Sequence, residues 1–292
     1  MPPPRLIFVT GKGGTGKSTV AAAIAVALAR RRPTLLADLD QRNSAARLLG
    51  ISDEKAGSNA GITTSTLTPR VEIETFIRRM VPIAAISRRM LKSRTFGYVT
   101  AALPGLEAFL MLERLRLMAG EAALEDRFVV ADAPATGHAL ELLGVARSIM
   151  SLAPGGTLNR LARSVDEFLR DSARFGIVIT LKPNELALRE TLGAVATMRT
   201  ENGIGAIGSV INCVPAALFT AADMMKLEAQ PEHIEWSRRR RDLAHGAARA
   251  RRELGALKIP VTELPMLFAE AFDHTAIGRL SEAIEPTLAL PP

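Results

Sequence analysis

The chain has one cysteine, Cys213, among 292 residues, which leaves it without an intrachain disulfide or a CxxC metal site. A disulfide-stapled secreted scaffold is thereby excluded, and a reducing cytoplasm is the expected compartment. No apolar run approaches the ~20 residues needed to cross a bilayer. The opening Met1-Pro2-Pro3-Pro4-Arg5 also lacks the charged-then-apolar plan of a signal peptide, so a soluble protein is predicted. Low-complexity linkers and internal repeats are missing too. Aromatic residues are scarce at 4%. The most arginine-rich stretch, Glu232 to Leu254, contains Arg238-Arg239-Arg240-Arg241, Arg249, Arg251 and Arg252 but only one aromatic, Trp236. The interleaved stacking residues of a nucleic-acid surface are not there. With Glu235, Asp242 and Glu253 in the same stretch, the reading is a solvated helix, ahead of a nucleic-acid or anionic-membrane contact drawn by the net charge of +7.

What is present is decisive near the start. Gly11-Lys12-Gly13-Gly14-Thr15-Gly16-Lys17-Ser18-Thr19 fits the phosphate-loop spacing G-x-x-x-x-G-K-S/T. Glycines there take backbone conformations closed to other residues, so successive N–H groups can turn inward onto phosphates. The apolar run Leu6 to Thr10 predicts a buried strand before the loop, and Ser18 to Arg30 an alanine-rich helix after it. The helix N-terminus then faces the anion. In such a site Lys17 neutralises the outer phosphates of ATP, the Ser18 hydroxyl ligates Mg²⁺ and Thr19 lines the pocket. Lys12 is additional to that set: it is either an incidental surface charge or a group reaching another nucleotide.

Further strands are expected at Thr34–Asp38, Phe128–Asp132, Ile177–Thr180, Ala206–Asn212 and Val261–Leu264, alternating with helical stretches. That rhythm predicts an α/β fold of the P-loop NTPase kind, a mostly parallel sheet with helices on both faces. A single domain over 1–292 is expected, with helical insertions at about 68–117 and 158–175 and no strand between Ile51 and Asp126. Within the insertion Met80, Met90, Met111 and Met118 are either core or the lining of a hydrophobic groove. Ligands in such sheets sit beyond the carboxyl ends of the strands. There Asp38 and Asp40 follow the second strand. Asp40 is the candidate to orient the water attacking the γ-phosphate, or else a helix cap before Ser44–Leu49, while Asp38 supports Mg²⁺ through its water shell. Asp132 closes the third strand as a second magnesium carboxylate, and a Thr136-Gly137-His138 turn is placed to sense the γ-phosphate.

The loop from Lys12 together with Asp132-Ala133-Pro134-Ala135-Thr136-Gly137-His138 resembles the ArsA/Get family of ATPases, the arsenite-pump and tail-anchored-protein targeting ATPases. The family's second element is D-T-A-P-T-G-H, so alanine and proline are exchanged here. Pro104-Gly105-Leu106-Glu107 is similar to the family's P-G-x-x-E, Val210-Ile211-Asn212 to its V-x-N, and Leu264-Pro265-Met266-Leu267 to its L-P-L-L. The resemblance implies a deviant P-loop, a dimer with nucleotides at the interface and Lys12 on the partner's phosphates. It also implies Asp40 in a first switch, Asp132 to His138 in a second, and an adenine site at Asn212 and Pro265.

Two departures narrow the cargo. A lone cysteine cannot supply a trigonal thiolate site, so arsenite is not expected, and the CxxC that holds zinc in the eukaryotic targeting factors is missing between Asn212 and Pro265. Three readings follow: an ATP-driven dimer handling a hydrophobic client, a nucleotide switch like the MinD/ParA ATPases on membrane or DNA, and a low-turnover subunit of a heteromer with a related ATPase.

Overall fold

Leu6 and Phe8 of the first strand enter one apolar cluster and Ile7 and Val9 enter another, all four fully buried. A strand apolar on both faces needs cover on both, which is the condition a parallel sheet meets with crossover helices. The computed structural model describes residues 3–51, 61–80, 104–216, 220–227, 231–268 and 272–285. Its strands are β1 (Leu6–Gly11), β2 (Thr34–Asp38), β3 (Ile62–Thr66), β4 (Phe128–Ala135), β5 (Phe175–Leu181), β6 (Ala206–Val214) and β7 (Val261–Pro265). They pair entirely in parallel in the order β3-β2-β4-β1-β5-β6-β7. The predicted α/β architecture is the observed one.

The helices are α1 (Lys17–Ala29), α2 (Ser44–Leu48), α3 (Pro69–Met80), α4 (Leu106–Leu124), α5 (Thr136–Leu152), α6 (Gly156–Arg170), α7 (Glu185–Thr197), α8 (Ala221–Leu227), α9 (Pro231–Ala256) and α10 (His274–Ile284), with a π-helical turn at Met198–Asn202. On one face α1, α2 and α10 cover Ile7, Val9, Val130 and Val178. On the other, α4, α5, α6, α7 and α9 cover Leu6, Phe8, Val129 and Ile177, and α3 joins them by packing on α4. The alanines of α1 have a structural consequence: small side chains let this helix lie close to the sheet, with α10 packed against it and on β7. No described helix is long and apolar enough to cross a membrane.

Three expectations are corrected. β3 is a strand where none was predicted, because it is a five-residue edge element built from Ile62, Thr63, Thr64, Ser65 and Thr66. Threonine suits a pleated, half-buried edge without producing an apolar run. The stretch 158–175 holds α6 only to Arg170, and Phe175 already opens β5. Here α6 buries Ala162, Val165, Phe168 and Leu169 in the sheet-side core. Of the insertion at 68–117, α3 and α4 are seen and residues 81–103, with Met90, lie outside the described residues. Met111 and Met118 are core, 7% and 2% exposed, while the side chain of Met80 is outside the described set. Lastly, β4 runs on through Pro134, so Thr136, Gly137 and His138 form the first turn of α5 rather than a free turn.

Candidate functional site

The loop between β1 and α1 has the shape its glycines predict. Gly14 and Gly16 sit at φ 79° and 91°, in the left-handed region that L side chains rarely adopt. Gly11 is held by space instead: a Cβ there would collide with the carbonyl and hydroxyl of Thr180. A Cβ on Gly16 would strike the amide of Asn212, whereas around Gly13 and Gly14 nothing lies within 4 Å. The loop is therefore tight against the protein and open toward solvent. α1 begins at Lys17 with no side-chain cap on its first turn, so the N–H groups of Lys17, Ser18 and Thr19 have no intrahelical acceptor. Free N–H groups and the positive end of the helix macrodipole suit a phosphate.

Two threonines and an asparagine brace this cradle. Thr15 Oγ1 donates to the Lys12 carbonyl at 2.8 Å and lies 2.8 Å from Thr180 Oγ1, both threonines being buried. Asn212, 6% exposed, donates through Nδ2 to the Thr15 carbonyl at 2.9 Å and accepts from the Cys213 N–H at 2.9 Å. The expected adenine contact at Asn212 thus has a different first partner. Its amide clamps β6 to the phosphate loop, leaving one N–H and one lone pair for anything else. Pro265 ends β7, opposite Val214 of β6 and exposed at the same edge of the sheet. Thr180 was not singled out in the sequence, where it reads merely as the last residue of an apolar strand.

The carboxylates gather beyond β2 and β4, which are neighbours. Asp132 is 2% exposed and hydrogen-bonded to the Ser18 side chain. Burial pushes its carboxyl up to about 6, with Asp38 and Asp40 adding to the rise and the Ser18 bond and Lys17 opposing it. Among the described residues no three acidic side chains come together as a metal cage, but one desolvated carboxylate bonded to a hydroxyl fits the way Mg²⁺ is held, by one or two protein oxygens alongside a nucleotide's phosphates. Both carboxylate oxygens of Asp38, expected to act through a magnesium water shell, have backbone partners. Its Oδ1 accepts from the Asp40 N–H at 2.8 Å and its Oδ2 from the Asn43 N–H, so both oxygens shape the turn. Asp40 is left with its side chain 46% exposed and a contact to Arg42 Nε at 3.5 Å. Nor is it a helix cap, since α2 is preceded by Asn43. The two turns are tied together: Leu39 N–H donates to the Asp132 carbonyl at 3.0 Å, and Thr10 Oγ1 donates to the Pro134 carbonyl at 2.9 Å.

Lys12 lies apart from this cluster. Its Nζ is 2.5 Å from Glu190 Oε1 of α7, in a pair whose side chains are 46% and 42% exposed. Glu190 carried no signal in the sequence, being one acidic residue on a helix whose partner lies 178 positions away. His138 is 79% exposed and 3.6 Å from Glu141, one turn along the same helix.

Asp132 makes a pH prediction. Its carboxyl holds a proton to about pH 6 when folded but only to about 3.8 when unfolded, so between those values the folded state binds more protons. Its contribution is complete below the lower value and is lost as pH rises through the upper one, by roughly 3 kcal/mol from linkage. In urea unfolding without metal or nucleotide, the wild type should lose about that much relative to Asp132→Asn between pH 4 and pH 7. Parallel pH profiles for the two proteins would contradict the burial argument.

A parallel sheet of this strand order, turning from β1 into a phosphate-shaped loop, defines a P-loop nucleoside triphosphatase. Residues 4–155, more than half of the chain, match the family described as anion-transporting ATPase. The chain is 27% identical to the ATPase BagA of Mycobacterium tuberculosis over 96% of this chain and 92% of that protein. It is 27% identical to an arsenical pump-driving ATPase of Escherichia coli over 78% of this chain and 38% of that protein. An ATPase ASNA1 homolog of Dictyostelium discoideum is 29% identical over 48% of this chain and 41% of its own length. The chain belongs to the anion-transporting ATPase family and is an ATPase.

Proposed function

We propose that the protein is an ATP-closed dimer, of two copies or with a related ATPase, that couples turnover to handling a hydrophobic client. The observation that carries this is where a cavity of about 650 Å³ lies. Its wall takes Leu39 and Gln41 from the turn that bears Asp40, Pro134 and His138 from the segment that follows Asp132, and Leu106 and Met111 from α4. Whatever the γ-phosphate does to those two turns is transmitted to a partly apolar chamber roofed by the helical portion.

In this reading Lys17 and the N–H groups from Gly13 to Thr19 bind the phosphates, and Ser18 and Asp132 hold Mg²⁺, with Asp40 alongside. Bound there, the ion neutralises charge on the phosphate oxygens. Asp40 orients the attacking water. Asn212 and Pro265 frame the adenine corner at the ends of β6 and β7, Asn212 through the N–H and lone pair that its clamp leaves over. Lys12 exchanges Glu190 for the partner's phosphates. An exposed pair is worth only ~0.2–1 kcal/mol, so a phosphate can displace the carboxylate readily.

The test is the oligomeric state under conditions that trap ATP. The Asp40→Asn protein should sediment as a dimer with ATP and Mg²⁺ and as a monomer without. Adding Lys12→Ala should raise the concentration for half-dimerisation about tenfold or more, the scale of one lost charge-assisted contact. Equal dimerisation with and without Lys12 would remove the cross-subunit role, and a protein that stays monomeric with bound ATP would remove the dimer.

A further inference from the structure

The phosphate loop carries two lysines that turn to opposite sides of β1. Lys17 bears on Asp132 of β4, whereas Lys12 reaches Glu190 on α7, the helix that follows β5. Both ends of this second contact are fixed through their backbones. The Lys12 carbonyl accepts from the Thr15 hydroxyl at 2.8 Å and from the Thr15 N–H at 3.3 Å, and that hydroxyl lies 2.8 Å from Thr180 Oγ1 of β5. α7 starts at an Asn184 cap, whose side chain accepts from the Ala187 N–H at 2.8 Å, and it buries Leu188, Thr191, Ala194 and Val195 on either side of Glu190. The 2.5 Å from Lys12 Nζ to Glu190 Oε1 therefore joins two anchored segments. Holding two side chains together costs less entropy when their backbones are already set.

Among the described residues nothing else competes for either partner. Arg189, next in the chain to Glu190, donates instead to Glu185 at 2.8 Å. Glu190 has no second cation within ion-pair distance, and Lys12 has no second carboxylate. Both side chains are half-exposed, and neither belongs to the core. An incoming anion can therefore take Lys12 from Glu190 without moving a packed group.

We propose that Glu190 is a counter-ion latch: by holding Lys12 in each free subunit, it opposes dimer closure until a partner's nucleotide offers Lys12 more charge. The proposal rests on the cross-subunit role of Lys12 given above. A carboxylate carries a single negative charge and a nucleoside triphosphate several, fewer once the γ-phosphate is gone. ATP thus draws Lys12 away more readily than ADP does, and the latch widens the difference between the two nucleotide states. Glu190 acts through Lys12, so it is a positioning residue and not a catalytic one.

Glu190→Gln keeps the side chain's shape and removes its charge. It is compared with Glu190 in the Asp40→Asn protein, full-length, with ATP and Mg²⁺, by sedimentation. The Gln variant should dimerise at a roughly four- to twenty-fivefold lower concentration, because an exposed ion pair is worth about two- to fivefold and a dimer of two copies breaks it twice. The advantage should shrink as salt is raised from about 50 mM to about 500 mM, which screens the pair in the reference protein. It should vanish when Lys12→Ala is added to both proteins, since Glu190 then has no partner to hold. Without nucleotide, a water-soluble acetylating reagent should modify Lys12 about two- to fivefold faster in the Gln variant, as read by mass spectrometry. Unchanged or weaker dimerisation of the Gln variant overturns the latch and leaves the dimer standing. So does a gain that survives Lys12→Ala, which would set Glu190 directly against the partner, or an equal acetylation rate, which would mean that the pair does not form. A reference protein that stays monomeric with ATP bound gives a different failure, removing the dimer and the latch together.

Discussion

Lys17→Ala should fold as the wild type does and bind ATP about 30- to 1000-fold more weakly, the scale of a lost charge-assisted contact of ~2–4 kcal/mol. Lys17 is the first residue of α1, and its charge helps to hold Asp132 ionised. Removing it costs no packing, since the side chain is not in the core. What is lost is the one cation facing the carboxylate cluster from the loop itself. Asp132 should then hold its proton to still higher pH, because a group opposing the rise is gone. Two calorimetric titrations, of ATP alone and of ATP with Mg²⁺, separate phosphate affinity from metal affinity. Wild-type ATP affinity in the variant would mean that the backbone cradle suffices and that Lys17 has another role.

Asp40→Asn should keep ATP affinity within about twofold and lower turnover by roughly 10²- to 10⁴-fold, the range for removal of a positioned base. The turn should survive the change, because Asp38 holds it through the backbone N–H of residue 40 and not through the Asp40 side chain. The substitution keeps the side chain's shape and removes its charge, so a lost rate with intact binding isolates the chemical step. Single-turnover release of labelled phosphate makes the comparison. Wild-type rates would take Asp40 out of the reaction and turn attention to the backbone of the same loop.

The site was legible in the sequence wherever a local pattern fixes a local shape. The glycine spacing from Gly11 to Gly16 and the runs of apolar residues before Asp38 and Asp132 determine a loop and two strand ends, because each conformational demand lies within a few residues of the pattern that betrays it. β3 was hidden, since threonines at an edge answer to their neighbours rather than to a buried face. The partners of the site residues were hidden for a different reason. Thr180 against Thr15, Asn212 on the Thr15 carbonyl and Glu190 on Lys12 are separated by 165, 197 and 178 positions, so tertiary folding alone brings them together. Asp38 and Asp40 show the same limit at short range. Two carboxylates two positions apart read alike, and only the backbone geometry turns one inward to the chain and leaves the other half-exposed beside Arg42.

α5 begins four residues after Asp132 and runs from Thr136 to Leu152, a length of about 24 Å. Its near end follows directly on the strand that carries Asp132, and its length lies against α6. Gly105, where α4 starts, presses so closely on Val145 that a Cβ there would overlap it. A lever of this length converts a tilt of about 5° at its first turn into about 2 Å of travel at Leu152. Any such tilt would carry the α4 junction at Gly105 and Val145 with it, because that junction lies along the arm.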